Sequence, residues 1–487
     1  MAILDKIGSI GIPPKGVIYL LFMAGLAAMV YGLITQQLMI FVVAACAPIG
    51  LIILLLGIDK PILSYTIFAI ITCYFSAIYR YTSIEGLSIV IEILLYFTLF
   101  SIFLNIVATQ DSYPWRNAAN ILSITYAIWM VYCLLSMLAP YNVIRDWTAS
   151  GTRSVFFLSP LLYILSGILL CSPKKLRTTL ILLSIFVITA GFKVYWQKSQ
   201  GFDRYEAAWL SSGAWMTHLL KSGIRYFSFY SDAGNFGSSM GMFVLAFGII
   251  ASLAKKRFFR LFFLGVAVIA GVGMMMSGTR GAMIVPFGGM GLYLLLCRNA
   301  KLSIGISVMG ILIYIFFAFT DIGEDNTFIK RMRTAFRPDE DASMNVRLGN
   351  QQRFAYYLKD KPFGVGIGGT IVDTDRLLGL EEDYIPTDSY FVGVWVENGV
   401  VGLCLYITIL VVILLRCCYI IMFKVKNRQL SRILAALLCS VFGIWLNGYV
   451  GRGMGFQPSS FVIAIFLSFV LNGAYMDKRL AKDEIIL

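Results

Sequence analysis

Long apolar runs separated by short, basic connections set the pattern of this chain. Runs of about 17–25 predominantly apolar residues are long enough to cross the hydrocarbon core of a bilayer as helices. They predict spans near 17–34, 38–56, 62–79, 87–108, 118–139, 154–171, 179–197, 235–253, 261–276, 283–297, 302–320, 390–415, 433–450 and 459–475. The expected fold is an all-α polytopic membrane protein with about 12–14 transmembrane helices and one long, partly helical exported loop. The run at 283–297 is short and carries Pro286 and three glycines, which predicts a bent or tilted helix.

Read end to end, the chain divides into N-terminal transmembrane helices over 1–197, an exported amphipathic segment over 198–234 and further helices over 235–320 that include a break at Arg280. A large exported loop over 321–389 and C-terminal helices with a cytoplasmic tail over 390–487 complete it. Composition agrees. With 59% hydrophobic and 14% charged residues in 487, the chain has too little polar surface for a water-soluble protein of its size.

Lys and Arg concentrate in alternate connections, which places the N- and C-termini in the cytoplasm. The net charge of +14 is then a topology signal, and no nucleic-acid partner is needed to explain it. The first span lacks a small-residue cleavage site before the next one and is expected to stay as an anchor. All nine cysteines fall in spans or cytoplasmic connections, so neither a disulfide framework nor a zinc site is expected.

The chemistry is expected in the two long exported segments. The first, "GFDRYEAAWLSSGAWMTHLLKSGIRYFSFYSDAGNFG", mixes Trp209, Trp215, Leu219 and Leu220 with Asp203, Arg204, Glu206 and Lys221, and reads as an amphipathic helix at the membrane surface. The single histidine, His218, sits among these interfacial aromatics, where a structural role is the expectation. In the second, "RLGNQQRFAYYLKD" predicts a helix with Arg347, Gln351, Phe354 and Leu358 along one face. The "PFGVGIGG" that follows needs positive backbone dihedrals or a close approach to something.

Arg280, in "MMMSGTRGAMIVPF", lies between two runs that could each sit in lipid. An arginine at the bilayer centre costs about 2.5–3.5 kcal/mol on insertion scales, which places "SGTRG" at the outer end of its helix, facing a wet cavity with backbone N–H groups exposed. A guanidinium there suits a phosphate, since its planar fork donates two parallel hydrogen bonds; snorkelling to the interface is the alternative. Asp388, in "IPTDSYF", is either the N-cap of the next helix or a general base. "VDTD", with Asp373 and Asp375, resembles a metal-binding pair of soluble glycosyltransferases over only a few residues, and "GVGIGG" lacks the strand-to-helix setting of a nucleotide fingerprint. Glu397 and Asn398 are expected to be buried polar groups that bond neighbouring helices.

Taken in order, "SFYSDAGNFGSSMG", "SGTRGA", "RLGNQQRFAYYLKDKPFGVGIG" and "TDSYFVGVWVENGVVG" resemble the signature segments of the O-antigen polymerase and O-antigen ligase superfamily, over about residues 225–402. The resemblance implies a membrane-embedded GT-C-type glycosyltransferase of the bacterial inner membrane, with its active site facing the periplasm. It acts on an undecaprenyl-diphosphate-linked oligosaccharide in a membrane-lipid environment, with a chain-length regulator as a protein partner. Two positions depart from the family: Gln351 stands where a tryptophan is usual, and Asp388–Ser389 where many ligases have histidine and asparagine. The second departure favours a polymerase.

On that resemblance Arg280 and Arg347 are assigned to the diphosphate and Asp388 to activating the acceptor hydroxyl, with Arg353, Arg225 and Asn235 as substrate-binding residues. Little acid assistance is needed, because a diphosphate is already a good leaving group, and the scheme calls for no metal or other cofactor. The rivals are a ligase that transfers the glycan to lipid A–core, a transporter of lipid-linked oligosaccharide, and a peptidoglycan polymerase of the shape, elongation and division class, whose signature segments are not found.

Overall fold

A computed structural model describes Met23 and residues 57–58, 60–83, 86–109, 112–138, 150–220, 223–296, 300–323, 325–333, 342–367, 387 and 389–480. The spans expected at 17–34 and 38–56, the aspartates of "VDTD", and Asp388 itself lie outside the described residues. The chain forms two compact units, one of residues 1–71 and 86–115 and one of residues 72–85 and 116–487.

The first unit contains most of α1 (Pro61–Cys73), and all of α3 (Leu87–Thr109). The second begins with α2 (Phe75–Thr82) and continues with α4 (Ile121–Ser136), α5 (Ser159–Leu169) and α6 (Pro173–Gln200). After the short α7 (Arg204–Trp209) come α8 (Ala233–Leu253), α9 (Arg257–Met276), α10 (Ile284–Leu296) and α11 (Ala300–Phe319). The series ends with α12 (Ala342–Tyr357), α13 (Tyr390–Tyr419), α14 (Arg428–Asn447) and α15 (Ser459–Leu471). Among the described residues, seven helices are long and apolar enough to cross a membrane, or nine if each of two bent helix pairs counts as one span. The protein is an all-α polytopic membrane protein, as its apolar runs require.

The second unit is built around α8 and α14. Some 78% of the apolar stretch of α8 and 72% of that of α14 is buried in protein, against 28% for α9, which turns most of its surface outward. Lipid gives helices little hydrophobic reason to associate, so close backbone packing must hold them, and small residues make it possible. The crossing of α10 and α14 shows this: a Cβ on Gly289 would lie 2.3 Å from the Cys439 carbonyl oxygen, and one on Gly443 would lie 2.1 Å from that of Val285. Pro286 does not bend α10 in mid-course. It falls in the first turn, where its missing N–H is not needed, after a 3-10 turn over Arg280–Met283.

The segment 198–234 is not one amphipathic helix. Gly213 adopts φ 120 and breaks it, so α7 passes through a π-turn (Leu210–Ala214) into the short Trp215–His218 helix and a two-residue antiparallel hairpin, Leu219–Leu220 with Gly223–Ile224. One face of the segment is nonetheless packed down, with Leu210 and His218 buried and Trp215 and Met216 exposed.

Helix α13 is broken at Gly399, whose φ of 70 leaves the preceding carbonyls without their usual donors four residues on. Those carbonyls are satisfied from elsewhere. Val365 N–H donates to Val396 O and Gly366 N–H to Glu397 O, both at 2.9 Å, and the Tyr132 hydroxyl donates to Asn398 O at 2.6 Å. The glycine-rich stretch after α12 thus makes its close approach to the backbone of α13, with Gly364 at φ 76 and Gly366 at φ 108. Phe354, Leu358, Val365 and Val396 form the apolar core of this junction, so the predicted face of the 347–358 helix is the face that packs.

Candidate functional site

Arg280 and Arg347 both lie close enough to Arg225 for their charges to act on it. Arg225, Arg280 and Arg347 are all half-buried. Burial lowers the proton affinity of the Arg225 guanidinium; the Asp232 carboxylate opposes this, and the positive charges of Arg347 and Arg280 add to it. A guanidinium starts so high that Arg225 stays charged, so the cluster is a concentrated patch of fixed positive charge. The Nε atoms of Arg225 and Arg347 are buried and have no hydrogen-bond partner among the described residues. Buried polar groups are ordinarily paired, and an unpartnered donor of this kind fits an anion held from outside the chain.

Each arginine is set by its surroundings. Arg225 donates from Nη2 to Thr279 Oγ1 at 2.9 Å and from Nη1 to Thr217 O at 3.0 Å. Thr279 in turn donates to Ala233 O at 2.9 Å, at the first residue of α8. Arg280 opens the 3-10 turn between α9 and α10, after Gly278 at φ 57. Three backbone N–H groups here are used within the turn: Gly278 bonds Met275 O, Ala282 bonds Thr279 O, and Thr279 bonds Ser277 Oγ. The Gly281 carbonyl is held by Asn447 Nδ2 at 2.6 Å, and Asn447 Oδ1 accepts from Ser238 Oγ at 2.9 Å. Arg353 lies on a different face of α12 from Arg347 and is exposed.

Asn235, expected to bind substrate, is turned into the protein interior. It is fully buried. Its Nδ2 donates to Ser231 Oγ and Gln457 O, and its Oδ1 accepts from Ser459 Oγ at 2.5 Å. With both ends of the amide used, it joins α8 to the loop before α15. Asp232 caps α8 by accepting from Asn235 N–H at 2.9 Å, and a carboxylate at a helix N-terminus is stabilised there.

A second network holds this turn in place. Arg80 of α2 is buried between the rings of Trp209 and Phe227, 4.6 and 4.5 Å from their centroids, and donates to Ser228 O and Tyr230 O. Ser228 adopts φ 52, uncommon for a residue with a side chain. It is held there by three further bonds at most two links away: its N–H to Gln197 Oε1, its Oγ to Ala190 O, and Gln197 Nε2 to Glu206 Oε1. Glu206 and Asp203 form a capping box on α7, and Lys193 bridges both carboxylates at 2.9 and 3.0 Å. Lys193 is therefore held in a fixed ion cluster near the end of α6. His218 also belongs to this scaffold: its Nε2 accepts from Ala233 N–H at 3.2 Å, and its Nδ1 donates to Ala214 O at 2.9 Å.

The N-cap of α13 is Ser389, whose Oγ accepts from Val392 N–H. The capping alternative for Asp388 is thus taken by its neighbour, because Ser389 Oγ is also anchored on Gly448 O at 3.0 Å. Asn398 is buried and its Oδ1 faces Cys133 Sγ of α4 at 3.7 Å, the interhelical role expected of it.

A cavity of about 390 Å³ lies beside this end of α8. Its lining includes Ser231 and Gln457, the rings of Trp129, Tyr163, Tyr390 and Tyr406, and aliphatic side chains such as Ile409. None of its lining residues is charged.

Residues 265–407 match the family described as O-antigen ligase. A 182-residue stretch is 28% identical to an O-antigen polymerase of Salmonella muenchen, covering 36% of this chain and 42% of that protein. Over these stretches the chain is similar to proteins of the O-antigen polymerase and ligase superfamily. The chain thus aligns with less than half the length of this curated relative. Within the superfamily match fall Arg280, Arg347, Arg353 and the kinked start of α13; Arg225, Asn235 and Asn447 lie outside it. Asn447 carried no signal in the sequence, since a lone asparagine at the end of an apolar run reads as a helix terminus.

Proposed function

We propose that the protein is a glycosyltransferase that polymerises a bacterial surface polysaccharide, an O-antigen or exopolysaccharide, from units linked through diphosphate to undecaprenol. It would sit in the inner membrane with both termini in the cytoplasm and the arginine cluster facing the periplasm. The observation that carries this reading is the grouping of Arg225 with Arg280 and Arg347, where the Nε atoms of Arg225 and Arg347 are buried and without a partner among the described residues, in a chain whose 265–407 stretch matches this family.

In the proposed reaction the acceptor hydroxyl oxygen attacks the anomeric carbon of the donor. The bond from that carbon to the diphosphate oxygen breaks, with inversion, in a single displacement. Arg280 and Arg347 hold the diphosphate as its charge grows, with Arg225 beside them; each charge-assisted hydrogen bond is worth about 1.5–3 kcal/mol. Asp388 takes the proton of the attacking hydroxyl as general base. Asn235 acts only by fixing the turn that carries Asp232, and Arg353 becomes a peripheral contact. The aromatic and aliphatic cavity beside α8 suits the polyprenyl chain, whose diphosphate end would then lie at the arginines. A chain-length regulator would act on this enzyme from outside the site.

Transfer to lipid A–core is the second reading, favoured by the description of the matching family. The two are separated with purified protein in liposomes supplied with an undecaprenyl-diphosphate-linked repeat unit and no other acceptor. A ladder of repeats supports polymerisation; single transfer that requires added lipid A–core makes the protein a ligase. No transfer in either case, with a competent native substrate, overturns the glycosyltransferase reading.

A further inference from the structure

We propose that Arg452 is a positioning residue for the segment that carries Asp388. The inference rests on the glycosyltransferase reading and adds to it a residue beyond the superfamily match at 265–407. Arg452 lies in the loop between α14 and α15. Its Nη1 donates to Thr387 Oγ1 at 3.2 Å, and its guanidinium carbon is 5.6 Å from the centroid of the Phe456 ring. Thr387 is buried, so the bond it makes is shielded from water.

The same loop holds the other flank of residue 388. Gly448 O accepts from Ser389 Oγ and from Tyr390 N–H, each at 3.0 Å, and Gly451 O accepts from Tyr390 N–H at 3.2 Å. Residues 387, 389 and 390 are therefore all seated on the 448–452 stretch. Its far edge rests on α8: a Cβ on Gly453 would lie 3.2 Å from Ser238 Oγ and 3.3 Å from Asn235 Cα, and Gln457 O takes the Asn235 amide at 2.8 Å. From α8 the connection continues through Ala233 O to Thr279 and Arg225. The loop that bonds residues 387, 389 and 390 thus packs on α8, the helix whose first residue is tied through Thr279 to Arg225.

Among the described residues of that loop, Arg452 supplies the side chain bonded to residue 387, while the ties to 389 and 390 run through backbone carbonyls. A group that orients a catalytic segment affects the rate once substrate is bound, because small misplacements of reacting groups cost about 100-fold. A group that binds substrate equally in ground and transition states changes KM instead. Positioning therefore predicts a loss in kcat at nearly constant KM.

The test uses the full chain in liposomes with the lipid-linked repeat unit. Arg452→Gln is expected to lower kcat by about 10- to 100-fold with KM within about twofold, and Arg452→Lys to recover part of the loss. Thr387→Val should reproduce the Arg452→Gln effect, and the double variant should be no worse than either single one, because both remove one interaction. Thr387→Val and Arg452→Lys are mild enough to report if Arg452→Gln fails to fold. A raised KM with kcat retained, an inert Thr387→Val, or losses that multiply would each overturn the positioning role. Asp388→Asn run in parallel tests the base assignment separately: if it keeps full kcat, that assignment fails, whatever the coupling between Arg452 and Thr387.

Discussion

The carbonyl oxygen of Pro362 lies where a side chain on Gly399 would begin: a Cβ there would be only 1.9 Å from it. Gly399 also needs φ 70 to break α13 and present the Val396 and Glu397 carbonyls to the loop. Gly399→Ala should therefore cost roughly 2–6 kcal/mol, combining positive-φ strain with overpacking. Its thermal unfolding midpoint in detergent should fall, and limited proteolysis should cut the 358–367 stretch sooner than in the parent.

Arg280→Ala and Arg347→Ala are each expected to lower turnover by about 100- to 1,000-fold, the usual cost of removing one preorganised donor to developing charge. Both variants should keep the parent's unfolding midpoint, since neither residue is part of the α8–α14 packing. Arg353→Ala should stay within about twofold of the parent, as an exposed substitution away from packed features. Equal losses at all three positions would assign the effect to general positive charge and not to the cluster.

His218 makes stability depend on pH. Burial lowers its pKa from the ordinary 6.5; the hydrogen bond to Ala214 opposes this, Arg225 adds to it, Asp232 opposes and Arg80 adds. The fold therefore prefers the neutral ring, whose Nε2 must accept from Ala233 N–H. As pH falls below about 6.5 the unfolded chain takes up the proton first, so stability declines from there down through the folded pKa and then levels off. Asp203 does not confuse this window. Burial raises its pKa, but hydrogen bonds from Tyr81, the Glu206 backbone and Lys193 outweigh that and hold it below 3.8, so its contribution is lost only at more acid pH. Melting curves between about pH 7.5 and 5 should slope for the parent and flatten for His218→Gln.

The Lys193–Glu206 pair should behave as a buried ion pair, since Glu206 is fully buried. Lys193→Met alone is expected to cost about 3–5 kcal/mol by leaving the carboxylate uncompensated, and Lys193→Met with Glu206→Gln to cost less than that single change. Denaturant or thermal unfolding of the single and double variants reads the difference directly. A double variant worse than Lys193→Met would show that Glu206 matters mainly to Gln197 and Asp203.

Apolar run length determined the fold class of this protein by itself, because a bilayer-crossing helix satisfies its own backbone and needs only enough apolar residues in a row. The same local logic made the 347–358 helix and its packing face legible, and it showed that "PFGVGIGG" had to approach something closely. Partners across the chain were the province of tertiary structure. Only the fold pairs that glycine stretch with the carbonyls released at Gly399, gives the cap of α13 to Ser389 through Gly448, and turns Asn235 inward onto Gln457 and Ser459. Only the fold brings Arg225 to Thr279, 54 positions along the chain, and sets Asn447 beneath Gly281. A charge written in sequence states its type and its approximate depth. Whether it joins other charges of its sign or is neutralised as Lys193 is depends on which helix ends meet, and that is decided by how closely small residues let α8, α10 and α14 pack.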